Sequence, residues 1–298
     1  MKTHSFLIYI FVSVLIFGQN DIQLSHQVFV RQYFNPAATG QNLNTVFNTI
    51  YRVQWTGING APETWVGNFQ HYFNAAHLAL GVNVIDDKLG LEHHQFIKLA
   101  YAYRIFWNEN NYLSFGLSAG ALFKKIDMDR FSLDDNTEQV QIPENAWKPD
   151  FDAGLEFRLK KWMVGLSVTH LGNTFPKSTL FLLPMHYYGY IRFNQSWTPD
   201  YELSLSYSMN TTTFITLHEL NGSLLFKQLL FAGLSYRFNE AIVTMLGIQL
   251  FKQLKIGYSF DMSAGRLPTY VSHHSHEIFL QYLFYKDATG QPSPRYFD

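Results

Sequence analysis

Gly116-Leu117-Ser118-Ala119-Gly120 has the Gly-x-Ser-x-Gly spacing that, in hydrolases, lifts a serine nucleophile out of a sharp strand-to-helix turn. Here the pentapeptide lies inside a run that alternates Leu113, Phe115, Leu117 and Ala119 with Ser114, Gly116, Ser118 and Gly120. That places Ser118 on the small, polar face of a strand, and the match reads as coincidence. His93-His94 and His273-His274-Ser275-His276 offer imidazoles to a divalent ion, but no carboxylate at ligand spacing accompanies them. His276-Glu277 also lacks the second histidine of His-Glu-x-x-His, so these read as solvated loop histidines. Asp127, Asp129, Asp134 and Asp135 raise calcium binding. Interspersed with Lys124, Lys125, Arg130, Glu138 and Glu144, however, the stretch 124–150 reads as a solvated or protein-contacting loop. Cysteine is absent, which removes thiol nucleophiles, disulfides and cysteine-based zinc sites. The expectation is a non-enzymatic protein with no catalytic residue, cofactor or metal ligand.

The elements that carry these residues explain the composition. Of 298 residues, 47% are hydrophobic and 17% aromatic, yet only 15% are charged, with a net charge of −1. An average soluble domain carries about 25% charged residues. Near neutrality excludes a nucleic-acid binder, and a mean hydropathy of −0.09 is too polar for a helical membrane protein. A membrane β-barrel fits, because lipid-facing and lumen-facing residues alternate and the average cancels.

Residues 1–18, a basic start followed by the apolar run Phe6–Phe17, read as a signal peptide cleaved near Gly18 or Gln19. Beyond it, alternation recurs in about fourteen segments, of which Tyr201–Met209, Leu254–Asp261, Phe151–Leu159 and Ile97–Arg104 are the clearest. Approximate spans are 44–54, 64–73, 76–86, 94–104, 112–123, 151–159, 162–170, 185–194, 201–209, 214–226, 229–238, 241–251, 254–262 and 276–286. Connections after even-numbered strands are short, about two residues at Asn74-Ala75, Lys160-Lys161, Lys227-Gln228 and Lys252-Gln253 and about six at 106–111 and 195–200. The long ones, at 124–150, 171–184 and 263–275, follow odd-numbered strands. Barrels of the bacterial outer membrane alternate short periplasmic turns with longer outer loops. The expected fold is thus an all-β, transmembrane antiparallel barrel of about 14 strands with both termini periplasmic. Its parts are a signal peptide (1–18), a periplasmic N-terminal segment packing at the mouth or in the lumen (19–43), the barrel (44–286) and a periplasmic tail (287–298).

The segment before the first strand is more specific. Asp21-Ile22-Gln23-Leu24-Ser25 leads to Asn35-Pro36-Ala37-Ala38-Thr39-Gly40. Tyr51-Arg52-Val53-Gln54-Trp55 and Gly60-Ala61-Pro62-Glu63-Thr64 follow, with Gly57 between them. Asp87 and Gly90 come next, and Ser275-His276-Glu277-Ile278 opens the last strand. In this order the motifs resemble the PorP/SprF family of type IX secretion system membrane proteins, found in Bacteroidetes, over essentially the whole chain. His26 departs from the family's usual aromatic residue or Gln, and residues 286–298 run past the point where many relatives end. The resemblance implies that Gln23, Ser25, Asn35, Pro36, Ala38, Gly40, Tyr51, Arg52, Gln54, Trp55, Gly57, Gly60, Pro62, Thr64, Asp87, Gly90, His276 and Glu277 are structural or partner-binding. It also implies an outer-membrane component whose partners are secretion-machinery subunits or the C-terminal domain of a cognate secreted adhesin, with membrane lipid around it and no nucleic acid. The alternative from the residues themselves is a channel for a small solute, its pore lined by the polar face. An inward Arg52 needs a partner such as Asp21, Glu156, Glu202 or Asp261, since an unpaired buried charge is costly.

Overall fold

The computed structural model describes residues 21–41, 44–126, 145–174, 184–198, 200–213, 215–264 and 274–284. The signal-peptide, calcium-loop and C-terminal-tail expectations fall outside these residues. Fourteen strands follow one another: β1 (Thr45–Val53), β2 (Glu63–Phe73), β3 (Leu78–Leu89), β4 (Glu92–Asn108) and β5 (Asn111–Ile126). Next come β6 (Asn145–Leu159), β7 (Trp162–Thr169), β8 (His186–Thr198), β9 (Tyr201–Thr211) and β10 (Thr216–Phe226). The last are β11 (Leu230–Arg237), β12 (Ala241–Leu250), β13 (Leu254–Ser263) and β14 (His274–Phe284). Each pairs antiparallel with its neighbours, and β1 pairs with β14 to close the barrel. Closure leaves the sheet without a free first or last edge, the condition for strands to cross a bilayer.

The wall is apolar outside; inside it is mostly polar, with one apolar patch that includes Ile50, Val66, Ile85, Phe96, Leu122 and Phe279. Outward Leu99, Leu117, Leu166 and Leu246 are 59–64% exposed, whereas the inward Asn48, Gln70, Ser114, Glu156 and Glu277 are wholly buried. All six tryptophans of the chain are exposed. Trp107, Trp162 and Trp197 ring the end of the short turns, and Trp55, Trp65 and Trp147 the end of the long loops. The run from Trp147 to Leu159, the cross-strand neighbour of Trp162, covers about 30 Å at ~3.3 Å per residue and a tilt of ~40°. These are two interfacial belts on either side of a hydrocarbon layer.

Several strands run further than strict alternation indicates. β4 and β8 continue to Asn108 and Thr198 through register shifts at Phe106/Asn108 and Ser196/Thr198. Such a bulge breaks the period of two, so the connections expected to hold about six residues shrink to tight turns. β6 begins at Asn145 although Pro149 lies within it. Pro149 pairs with Ala121 of β5 and sits above the part of β6 that β7 reaches, so no ladder bond on that side is lost. In the three-residue connection 227–229, Lys227 and Gln228 are both left-handed (φ 51°), which matches the twist of the flanking strands without a glycine.

Because Leu117 faces lipid, Leu117→Arg is expected to destabilise the barrel by about 2–4 kcal/mol, measured by urea unfolding in lipid bilayers.

Candidate functional site: the lumen and its plug

Residues 21–41 occupy the lumen. Three short 3-10 helices, Gln27–Phe29, Arg31–Tyr33 and Pro36–Ala38, fold the segment into a compact plug. Its first residues lie toward the long-loop end, against Arg52, Arg237 and His170. Its last lie toward the turn end, where Thr45 enters β1. Charge decides this course, because the wall presents the partners of Asp21, Ser25 and His26 only near the loops.

The first seat is at Ser25-His26. Arg52 donates to Asp261 at 2.7 Å, to Glu277 at 3.3 Å and to the Ser25 hydroxyl at 2.8 Å. Arg237 donates to Asp261 at 2.9 Å, to Glu219 at 3.0 Å and to Ser25 Oγ at 3.1 Å. Ser25 Oγ donates in turn to Asp261 (2.9 Å). Glu277 accepts the backbone N–H groups of Ser25 (2.7 Å) and His26 (2.8 Å), and pairs with His26 Nδ1 at 2.8 Å. Arg52 and Glu277 are cross-strand neighbours at the β1–β14 closure, so this node joins plug and closing seam. Below it, His26 and Phe29 stack on Phe279 (5.2 and 5.3 Å between centroids), and the Lys255 ammonium lies 4.5 Å over the Phe29 ring.

The second seat holds the middle of the plug. Arg31 donates to Glu156 at 3.1 Å, and Glu156 also accepts the hydroxyls of Tyr112 (2.8 Å) and Tyr190 (2.5 Å). Burial penalises the Arg31 cation, but the Glu156 charge outweighs it and raises its pKa further above the ordinary value. An amide ladder, Gln281–Asn48–Asn68–Asn83, runs around the wall to Gln32.

The third seat receives Asn35–Gly40. Asn35 Oδ1 caps the Ala37 N–H at 2.9 Å while its amide donates to the Leu155 carbonyl and the Tyr190 hydroxyl. Pro36 begins the last 3-10 helix, where no N–H is needed. Ser114 and Ser167 donate to the carbonyls of Ala37 and Phe34 at 2.7 Å. Arg104 donates to the carbonyls of Thr39 and Gly40 at 2.8 and 2.9 Å, between the rings of Tyr72 and Tyr112. Gly116 gives the plug its room: a Cβ there would stand 2.1 Å from the Ala37 nitrogen. The first glycine of the hydrolase-like pentapeptide is a notch for the plug, and Ser118 donates to Asp152 in the wall.

Near the loop end, Asp21 accepts the hydroxyls of Tyr188 (2.5 Å) and Tyr33 (3.3 Å) and lies 3.6 Å from His170 Nε2. Burial pushes the Asp21 pKa up, but the His170 and Tyr188 contacts prevail and hold it well below the usual carboxylate range. Asp150, Asp152 and His170 form a cluster with cation-ligand chemistry. The Lys98 ammonium, 2.8 Å from both carboxylates, already supplies its positive charge. The partner of Arg52 is Asp261, as one of the expected pairings has it, together with Glu277. Asp21 and Glu156 serve other donors.

The motif residues separate into three places. Ser25, Asn35, Pro36, Ala38, Gly40, Arg52 and Glu277 meet in the lumen, and Gln23 lines a cleft of about 40 Å³ between plug and β8–β11. Gln54, Gly57, Gly60, Pro62, Thr64, Asp87 and Gly90 build the loop end: Gln54 N–H donates to the Pro62 carbonyl, Gly90 N–H to the Gly60 carbonyl, and Thr64 to Asp87 at 2.6 Å. Gly57, Gly60 and Gly90 there have φ of 100°, 77° and 61°. Tyr51, Trp55 and His276 face outward, His276 hydrogen-bonded to Tyr258 at 2.7 Å. Tyr112, Tyr190, Gly116 and Gly154 escaped sequence reading as plug contacts. Their inward parity was the available signal.

The family model described as type IX secretion system membrane protein PorP/SprF matches residues 16–282. No curated protein matches the sequence. Among solved structures, the Ralstonia pickettii toluene transporter TbuX is similar at 12% identity and a TM-score of 0.55, over 84% of this chain and 92% of that one. The CymD monoaromatic hydrocarbon channel is similar at 13% identity and a TM-score of 0.52, over 86% and 93%. At these identities the likeness is one of barrel fold.

Arg52→Ala leaves two buried carboxylates short of a partner, and a loss of about 3–5 kcal/mol is expected in urea unfolding. Gly116→Ala is expected to lift the Asn35–Gly40 turn while the barrel still closes. Faster protease cleavage within residues 21–41, with an unchanged heat-modifiable gel shift, is the readout.

Proposed function

The chain belongs to the PorP/SprF family of type IX secretion system membrane proteins, and from that premise we propose that it is a sealed outer-membrane partner of a secreted surface adhesin. Membership and the barrel together place it in the outer membrane as a component of that secretion system. Neither belongs to a known enzyme class. The observation that carries the finer reading is the filled lumen. Asn48, Gln70, Ser114, Glu156, Ser259 and Glu277 point inward yet are wholly buried under the plug or one another. A solute channel keeps such side chains wet. With the lumen taken up, the surfaces left for work are the two ends of the barrel.

The loop end suits a protein ligand. Its first two hairpins are tied by the Gly60–Gly90 backbone bond of 3.0 Å, and Thr56 N–H, donating to the His274 carbonyl at 2.8 Å, ties the first of them to β14. They present Trp55, Ile58 and Leu89 to the outside. Rigid loops with exposed apolar side chains lose little entropy on docking. The adhesin's C-terminal domain is the proposed ligand, and the signal peptide and periplasmic termini belong to the same reading. A core-machinery role, with motor subunits bound at the turn end, is the second reading.

Deletion of the gene, followed by comparison of surface-exposed and secreted proteins, separates these readings. Loss of one large surface protein is the expected result. Loss of all type IX cargo would assign the core role, and unchanged secretion with slower solute uptake would overturn both.

A further inference from the structure

The two ends of the barrel differ in charge, and the turn end carries lysines where it meets lipid. Lys160 and Lys161 form the β6–β7 turn, Lys227 opens the β10–β11 turn and Lys252 lies in the β12–β13 turn, all exposed. Against them the described residues of this rim place the exposed acids Glu109 and Asp200, with Arg158 half-buried just inside. Among the described residues the loop end mixes signs: Glu63, Asp86, Asp87, Glu92 and Glu240 stand with Lys88, Lys124, Lys125 and Lys148.

The lysines share the rim with rings. Trp107, Trp162 and Trp197 are 49–64% exposed, and Phe251, beside Lys252, is 88% exposed at a hairpin tip. Phe251 also has φ of 52°, a conformation unfavourable for any residue with a Cβ. A strained, bare phenyl ring at a tip gains stability where it dips into the boundary between headgroup and acyl chain. Two of the ammonium groups lie along the flank. Lys227 Nζ sits 5.3 Å over the Phe226 ring, and Lys161 Nζ donates to Gln195 at 2.7 Å across the neighbouring turn. Cations held on the flank at belt height face headgroups, whereas a protein docked on the barrel axis would call for ammoniums reaching downward.

We propose that the turn-end rim binds the headgroups of anionic glycerophospholipids in the leaflet at that end of the barrel. The lysines supply the charge, and the rings set their depth. This inference is independent of the adhesin reading, since it concerns the barrel's flank.

The test uses the full protein reconstituted in phosphatidylcholine vesicles. Association of spin-labelled phosphatidylglycerol is compared with that of spin-labelled phosphatidylcholine by electron paramagnetic resonance. A preference for phosphatidylglycerol of about tenfold is expected, of the order that one or two surface lysines supply, and it should shrink in high salt. The variant K160Q/K161Q/K227Q/K252Q, shown to be folded by its heat-modifiable gel shift, should lose it. Equal association of the two lipids with the wild type, or an undiminished preference in the variant, would overturn the assignment. A variant that keeps the lipid preference but no longer retains an acidic soluble protein would assign the lysines to a protein partner instead.

Discussion

A charge inside a barrel has no water to fall back on once the lumen is filled, so it must find a partner or the fold fails. Arg52 is the residue on which this constraint bears most. It projects from β1 where β1 meets β14, and its guanidinium is shared by Asp261, Glu277 and the Ser25 hydroxyl. One of those groups stands across the closing seam, one on the next strand and one on the plug. Closing the barrel and seating its N-terminal segment are therefore one event as far as Arg52 is concerned. Arg237 repeats the arrangement from β11.

The plug is held in two ways: Leu24, Val30 and Phe34 pack on an apolar patch of the wall that includes Ile50, Val66, Ile85 and Phe279, and polar contacts surround that patch. The plug's backbone carbonyls are taken up by Arg104, Ser114 and Ser167, and its Gln32 amide joins an amide ladder in the wall. The wall also yields space. Gly81, Gly116, Gly154 and Gly257 stand where a Cβ would strike Gln32, Ala37, Asn35 and His26. These notches fit the wall to the plug. That fit is the physical ground for proposing a sealed barrel whose partners bind at its ends.

Most of the fold was legible in the sequence, because the alternation that makes one face greasy and the other polar is local. Tyr201–Met209 could be placed from nine residues alone. The misjudged ends have local causes too: bulges near Asn108 and Thr198 broke the alternation, and β6 extends back past Pro149, where no β7 neighbour requires an N–H. The site was legible only as motif. Asn35-Pro36 and Arg52 stood out by resemblance, and the charge on Arg52 called for a partner that spacing alone left as four candidates. Glu277 was not among them, since nothing in one dimension says that β14 lies beside β1.

The sequence by itself thus determined the barrel class, the membrane and the number of strands, which follow from periodicity and composition, while the family was legible only by the resemblance of its short motifs. Tertiary structure decided what the polar face is for. Whether inward serines and charges line water or grip a plug depends on which residues meet across the lumen. Those meetings join positions such as Ser25 and Asp261, more than two hundred residues apart.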